Sequence, residues 1–281
     1  FAAVQEKYIE AISCAETDHE AAQDIDLPPG PINIDIKSLS INNLPILHGI
    51  QLTLDQCGFV GVVGESGSGK STLANTLLRL VNIDDGNINI GDLAIEDISL
   101  SAWRRQVGYV PQETILFNTT IAANIAWGNP ELTRAAIIES ARNAGADKFI
   151  KTLSEGYDTV VGDSGIRLSG GQRQRLGIAR ALTSKPRILV LDEVTSALDG
   201  LTEKQIIETL SSLKSNTLII YIAHRLATIR EADQLIVMQG GTIAEFGTWA
   251  DLVEARGIFF EMTCQQNLDE VHPVTSGAKR W

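Results

Sequence analysis

Apolar and polar residues follow two different periods along the chain, and each period predicts a different kind of element. Residues 32–36 alternate between apolar and polar, which is typical of a half-buried strand. Residues 59–63 are continuously apolar and indicate a buried strand, and residues 73–80 continue as an apolar helix. A helix-rich block is predicted over residues 119–183. Further strands and helices are predicted over residues 87–90, 107–110, 188–191, 202–213, 217–222, 226–231 and 234–238.

This alternation of strands and helices predicts an α/β fold with a mostly parallel sheet flanked by helices. The 281 residues, 44% of them hydrophobic, can form one large domain or a core with a subdomain. A formal net charge of −12 disfavours a nucleic-acid-binding surface, so nucleic acid is not an expected partner. The three cysteines form no C-x-x-C pair, which favours a reduced compartment and no cysteine metal site. No apolar run approaches the roughly 18 residues of a membrane span.

The two ends of the chain differ from the rest. Apolar residues at helical spacing predict a helix over residues 2–15 with one apolar face. An acidic stretch and the Pro-Pro-Gly-Pro run at 28–31 then form a linker. The helix is either an ordinary packing element or a tether arriving from another domain, and its pattern fits both. Residues 265–281 are polar and are predicted to be a tail.

A glycine-rich loop between the predicted strand 59–63 and helix 73–80 fits the phosphate-binding pattern G-x-x-x-x-G-K-[ST]. Its glycines allow the backbone N–H groups to approach phosphates, and the helix N-terminus adds positive partial charge. Lys70 is expected to contact the β- and γ-phosphates, and the Ser71 hydroxyl to bind Mg²⁺. The predicted nucleotide-binding loop consists of Gly64, Glu65, Ser66, Gly67, Ser68, Gly69, Lys70, Ser71 and Thr72.

Four polar residues follow predicted strands, where ligands collect in α/β sheets. Asp192 suits a contact with Mg²⁺, and Glu193 suits a general base that deprotonates the attacking water. The plainer interpretation of this pair is an acidic helix start, but its position downstream of a phosphate loop favours catalysis. Gln112 is expected to contact Mg²⁺ or the attacking water, and His224 to contact the γ-phosphate while holding Glu193 in line. Taken alone, Gln112 would be interpreted as a solvated turn residue and His224 as a structural histidine.

Together with the pentapeptide Leu-Ser-Gly-Gly-Gln at 168–172, these motifs resemble the nucleotide-binding domain of ABC transporters in identity and order. The glycine-rich loop resembles the Walker A motif, Gln112 the Q-loop, and the pentapeptide the signature motif. Residues 188–193 resemble Walker B with the catalytic glutamate, 196–199 the D-loop, and His224 the H-loop. The segments 111–118 and 159–165 are similar to the exporter branch, although Asp163 stands where exporters usually carry Glu.

This resemblance, over about residues 32–262, implies a RecA-like parallel-sheet core with an N-terminal antiparallel β subdomain and an inserted α-helical subdomain. The expected organisation is a linker helix and tether over 1–31, a cassette over 32–264 and a polar tail over 265–281. The helical subdomain is expected at about 114–183. The tether would arrive from a transmembrane domain, and the cassette would lie on the cytoplasmic side of a membrane.

The resemblance also implies ATP and Mg²⁺ as ligands and a second cassette packed head to tail, so that each signature motif completes the other copy's site. The residues expected to act across that interface are Ser169, Gly170, Gly171, Gln172 and Asp199. Every catalytic position is filled, so a homodimer that powers export is expected, with an asymmetric heterodimer as the alternative. A soluble cassette acting on DNA or ribosomes is disfavoured, because the chain has neither a long coiled-coil insertion nor a second cassette. A non-catalytic regulatory cassette is disfavoured because Lys70, Asp192, Glu193 and His224 are intact.

The chain departs from the exporter pattern at Ile41, where the resemblance implies an aromatic residue stacked on adenine. We expect modest ATP affinity and poor discrimination between ATP and GTP, because a lost stack costs about 1–3 kcal/mol. Ile41→Tyr should therefore tighten ATP binding by about 5- to 150-fold and increase the preference for ATP. Nucleotide titration of both proteins measures this, and equal affinities would contradict the expectation.

Overall fold

A computed structural model describes residues 24–129, 131–162, 165, 168–195 and 200–266. The predicted helix over 2–15, the D-loop with Asp199, Asp163 and the tail beyond Gln266 lie outside these residues. Their assignments remain predictions.

The first sheet of the structure is antiparallel and has the strand order β2-β1-β4-β5. Strand β1 has alternately buried and partly exposed residues from Ile32 to Ile36, which confirms the predicted half-buried strand. The period of two places Ile32, Ile34 and Ile36 on one face, against the core. The strands of this first sheet are β1 (Ile32–Ile41), β2 (Leu44–Leu54), β4 (Asp85–Ile90) and β5 (Leu93–Ala94).

The second sheet has six strands in the order β10-β9-β3-β8-β7-β6. Neighbours from β6 to β9 pair in parallel, and only β10 is antiparallel to its neighbour β9, so the predicted mostly parallel sheet is confirmed. Val62 and Asp192 both pair with Ile222, so strands β3, β7 and β8 end at the same edge. Its strands are β3 (Gly58–Gly64), β6 (Val107–Val110), β7 (Ile188–Asp192), β8 (Leu218–Ile222), β9 (Gln234–Gln239) and β10 (Thr242–Gly247).

Helices connect and cover these sheets. The predicted apolar helix after the glycine-rich loop begins at Lys70 and ends at Leu77, because Arg79 adopts a left-handed backbone. The predicted helix at 226–231 is a single 3₁₀ turn, Leu226–Ile229, since Asp233 already donates to the Phe59 carbonyl at the sheet. The α-helices are α1 (Lys70–Leu77), α2 (Leu100–Gln106), α3 (Ile121–Ile125), α4 (Arg134–Asn143), α5 (Asp147–Ile150), α6 (Gly170–Leu182), α7 (Gly200–Leu213), α8 (Trp249–Ala255) and α9 (Ile258–Gln265).

Helices α3 to α6 form the predicted helix-rich block between β6 and β7. Buried Asn124 in α3 holds the backbone of Phe117 at both its N–H and its carbonyl. Arg180 in α6 donates to the carbonyls of Asn124 and Ile115. The block is therefore tied to the segment that leaves β6. Within the described residues, no helix is long and apolar enough to cross a membrane.

A buried carboxylate joins α5 to the turn before the signature segment. The Tyr157 hydroxyl donates to Asp147 Oδ1 at 2.8 Å, and Lys151 donates to Oδ2 at 2.7 Å. Burial by itself raises the pKa of Asp147. The hydrogen bonds from Lys151 and Tyr157, together with the charges of Lys151 and Arg142, outweigh burial and hold this pKa below its ordinary value.

Tyr157→Phe removes the hydroxyl from this carboxylate. We expect the free energy of unfolding at pH 7 to fall by about 1.5–3 kcal/mol, as for a hydrogen bond to a charged group. The ionised Asp147 stabilises the fold above its unfolded pKa of about 3.9, and this contribution is lost as the pH falls through the lower folded pKa. The difference between wild type and variant should therefore shrink below about pH 4. Urea unfolding at several pH values measures it.

The control is Asp158→Asn, which breaks the exposed ion pair between Asp158 and Arg134. Its free energy of unfolding should stay within about 1 kcal/mol of the wild type. A Tyr157→Phe difference no larger than that of the control would show that the buried hydrogen bond contributes nothing.

Candidate functional site

The glycine-rich loop connects β3 to α1 and closes against β9. Gly64, Gly67 and Gly69 all have positive φ, at 150°, 78° and 100°, which is the backbone region that favours glycine. A Cβ on Gly64 would lie 2.2 Å from the Met238 carbonyl oxygen, so no other residue fits there. The sequence thus folds locally into the turn that a phosphate-binding loop requires.

Lys70 stabilises the shape of this loop through hydrogen bonds to its backbone. Its Nζ donates to the carbonyls of Gly64 at 2.9 Å and Glu65 at 2.8 Å, and the residue is buried. Burial lowers the pKa of Lys70, while the charges of Glu193 and Asp192 oppose that shift. The ammonium therefore lies at the base of the loop with carboxylates as its nearest counter-charges.

A cleft of about 260 Å³ opens over the loop. It brings together three of the regions in which the sequence predicted site residues: the loop, the end of β7 and the end of β8. Its lining consists of Ile46, Ser66, Gly67, Gly69, Lys70, Ser71, Thr72, Glu193 and His224. Glu65 instead faces a second hollow on the other side of the loop, and Ser68 is buried beneath it.

Glu193 and His224 are in direct contact at this cleft. Nε2 of His224 lies 2.5 Å from Oε1 of Glu193, with the two side chains 52% and 12% exposed. Glu193 has a φ of 49°, and its N–H donates to the Ile222 carbonyl at 3.0 Å. A left-handed backbone at a non-glycine residue costs free energy and is concentrated at functional sites. Here it turns the carboxylate from the strand end towards the imidazole.

Asp192 lies at the end of β7, one residue before Glu193. Burial and the charge of Glu193 raise the pKa of Asp192, while the charges of Lys70 and His224 lower it. Two carboxylates in a partly buried place are stabilised by a divalent cation. Asp192 does not line the cleft, whereas Ser71 offers a hydroxyl there. These oxygen donors fit Mg²⁺, which is usually bound by one or two protein groups together with phosphates.

Gln112 does not line the cleft, and its side chain is exposed. Its carbonyl accepts a 2.6 Å hydrogen bond from Nε2 of Gln174, and Oε1 of Gln174 accepts from Thr114 at 2.7 Å. Gln174 is buried in α6 and was not predicted from the sequence. Its helical spacing could have revealed that it is buried, because Gln174 is a polar residue on the helix face that also buries Gly171, Gly177 and Ile178.

The signature motif forms the start of α6. Ser169 is the N-cap: its side chain accepts from the Gln172 N–H at 3.3 Å, and Gln172 Oε1 accepts from the Ser169 N–H at 3.0 Å. This capping box fixes the helix end, with Gly170 and Gly171 in its first turn. None of the described residues of the motif lines the cleft of its own chain.

The predicted adenine position, Ile41, lies at the end of β1 and is 37% exposed. It does not line the cleft, whereas Ile46 in β2 does. Ile46 was not predicted, because the sequence does not show which residues of the β1–β2 hairpin lie next to the loop.

Three comparisons with known proteins agree with this geometry. A family model described as ABC transporter matches residues 47–196. An ATP-dependent lipid A-core flippase from Syntrophus aciditrophicus is 44% identical over 240 residues, which are 85% of this chain and 40% of the flippase. A putative multidrug export ATP-binding/permease protein from Staphylococcus aureus is 42% identical over 249 residues, 88% of this chain and 43% of that protein.

Among solved structures, a bacterial Atm1-family ABC exporter with ATP bound is similar with a TM-score of 0.83 and 38% identity. The match covers 89% of this chain and 44% of that exporter. The chain therefore spans less than half the length of the relatives it matches.

The family model covers more than half of the chain, and the structural match confirms the predicted arrangement of a parallel core, an antiparallel sheet and a helical block. The motifs that carry the resemblance occupy the loop, the strand ends and the start of α6. The chain belongs to the ABC transporter family and has the fold of its ATPase cassette.

Proposed function

We propose that this cassette binds ATP with Mg²⁺, packs head to tail against a second copy and powers export of a substrate across a membrane. The single observation that carries the proposal is the contact between Glu193 and His224 in the cleft over the loop. A carboxylate and an imidazole held together beside a phosphate-binding loop can activate water for attack on a phosphate.

The residues of the loop account for nucleotide binding. The backbone N–H groups of such a loop and the Lys70 ammonium would neutralise the phosphate chain. Ser71 and Asp192 would hold Mg²⁺, which would supply further neutralisation of phosphate charge. Gln112 would have to turn its exposed side chain inward to contact the metal or the water.

Glu193 takes the proton of the attacking water in this mechanism. Its carboxylate is mostly buried, and Oε1 is the oxygen in contact with His224. His224 fixes the orientation of the carboxylate and presents a donor to the γ-phosphate. Because both residues stand at strand ends that share one edge of the sheet, neither depends on a long flexible connection.

A second cassette supplies the signature motif. Ser169 and the first N–H groups of α6 form a capped helix N-terminus, which suits a phosphate, but they do not line the cleft of their own chain. We therefore place Ser169, Gly170, Gly171 and Gln172, with Asp199, opposite the loop of the partner. The complete set of catalytic residues favours a homodimer over an asymmetric heterodimer.

The transmembrane partner meets an exposed apolar patch formed by Ile115, Phe117 and Trp127. Phe117 and Trp127 stack with ring centroids 3.7 Å apart at an interplanar angle of 17°, and Trp127 is 53% exposed. Such a patch marks an interaction surface. It follows Gln112 in sequence, and similar proteins that combine ATP-binding and permease parts are more than twice as long. The cassette then lies on the cytoplasmic side of the membrane.

Glu193→Gln removes the general base while retaining the shape of the side chain. We expect kcat for ATP hydrolysis to fall at least about 100-fold, with ATP affinity unchanged or higher and an ATP-dependent dimer that accumulates. Phosphate release and size-exclusion chromatography with ATP and Mg²⁺ measure these outcomes. The matched control is Glu208→Gln on the exposed surface of α7, which should hydrolyse ATP as the wild type does. Near-normal hydrolysis by Glu193→Gln would show that another group is the base.

Mixing two inactive variants tests the head-to-tail arrangement. Lys70→Ala disables the loop, and Ser169→Arg disables the signature motif, so either protein alone should be inactive. In a mixed dimer one site combines the two intact motifs. Equal mixing should therefore restore up to about a quarter of wild-type activity, because half of the dimers are mixed and each has one intact site of two. A mixture as inactive as its components would contradict a shared site.

A further inference from the structure

A side chain at the end of the last helix binds the backbone on both sides of Arg225. Oε1 of Gln266 accepts a hydrogen bond from the Leu226 N–H at 2.9 Å. Nε2 of the same amide donates to the His224 carbonyl at 3.2 Å. One planar amide therefore spans the segment from His224 to Leu226.

The backbone that carries His224 is fixed on one side by the sheet and on the other by Gln266. Before His224, the Ala223 N–H donates to the Val62 carbonyl at 3.0 Å, across from β3. After it, Leu226 begins a 3₁₀ turn and is fully buried, and the first N–H of such a turn has no partner within the turn. Gln266 satisfies that N–H. Removing the Gln266 amide leaves the buried Leu226 N–H without a hydrogen-bond acceptor.

His224 depends on this backbone support because its own side chain is half exposed. Its Nε2 contact with Glu193 is 2.5 Å, so a backbone displacement of about 1 Å lengthens it beyond hydrogen-bonding distance. A displacement of about 1 Å at a reacting group costs a large factor in rate even when its cause lies outside the chemistry.

Helix α9 provides a fixed support for Gln266. At its start, the two carboxylate oxygens of Glu245 accept from the N–H groups of Ile258 and Phe259 at 2.6 and 3.0 Å. Phe259 is fully buried and packs edge-on against Trp249 with ring centroids 5.0 Å apart. The helix is thus anchored at one end in the core and contacts the His224 segment at the other.

We propose that Gln266 is a positioning residue for ATP hydrolysis, which holds the His224 backbone so that the imidazole meets Glu193. This proposal rests on the proposed function of Glu193 and His224. Gln266, the second residue of the polar tail predicted over 265–281, therefore serves the active site.

The test compares Gln266→Ala with Gln265→Ala in the full chain. The two glutamines are neighbours, and Gln265 has no hydrogen bond to the His224 segment among the described contacts. We expect Gln266→Ala to lower kcat by about tenfold with KM for ATP within about twofold, and Gln265→Ala to leave both unchanged. Equal kcat values for the two variants would overturn the proposal.

A double-mutant cycle separates positioning from general destabilisation. In a His224→Ala background, adding Gln266→Ala should change kcat by less than about twofold, because the residue that it positions is already gone. A further tenfold fall would overturn the proposal, since Gln266 would then act through something other than His224.

The ring signal of His224 gives a measurement that needs no turnover. NMR of the chain with its four histidines labelled identifies this signal by its loss in His224→Ala. Gln266→Ala should shift or broaden it, and Gln265→Ala should not; an unchanged signal in Gln266→Ala would overturn the proposal. A wild type without ATPase activity would refute the proposed function instead, while the ring signal would still decide whether Gln266 positions His224.

Discussion

The rest of the site depends on the hydrogen bonds and the charge of one buried ammonium, that of Lys70. It donates to the carbonyls of Gly64 and Glu65 and so gives the loop its shape, and it lies close enough to Asp192 and Glu193 to oppose their mutual repulsion. Without this cation, two adjacent carboxylates at a partly buried strand end would be costly, and the loop carbonyls would lose their donor. The same charge that organises the loop is the one proposed to contact phosphate, so local folding and the proposed ligand binding would require the same residue.

The sheet converts this local arrangement into a site. Val62, Asp192 and Ile222 share one level of the register, so the loop, the carboxylate pair and the His224 segment leave three neighbouring strands at one edge. The left-handed backbone of Glu193 and its bond to the Ile222 carbonyl then turn the carboxylate towards the imidazole. Strand pairing in the core therefore helps to set the orientation of the Glu193 side chain at the surface.

The sequence predicted those parts whose signal is contiguous. The loop, the buried strands and the signature motif each lie within a few residues, so spacing and hydrophobic pattern reveal them. Ile46, Gln174 and Gln266 were missed because each acts through contacts distant in sequence, such as the 62 residues between Gln174 and Gln112 and the 42 between Gln266 and His224. The helix expected at 226–231 is a single turn because a tertiary hydrogen bond returns the chain to the sheet at Asp233. Local pattern carries no information about such constraints.

The buried amide of Gln174 has a consequence for how two copies would communicate. It binds the carbonyl of Gln112 and the hydroxyl of Thr114, and it lies in the second turn of the helix that begins at the signature motif. The segment after β6 and the start of α6 are thus held as one unit. In the proposed head-to-tail pair, the first would respond to a chain's own nucleotide and the second would contact its partner's. Occupancy of one site would then be transmitted to the other through the interior of a single subunit, and nucleotide binding at the two sites would be thermodynamically linked rather than independent.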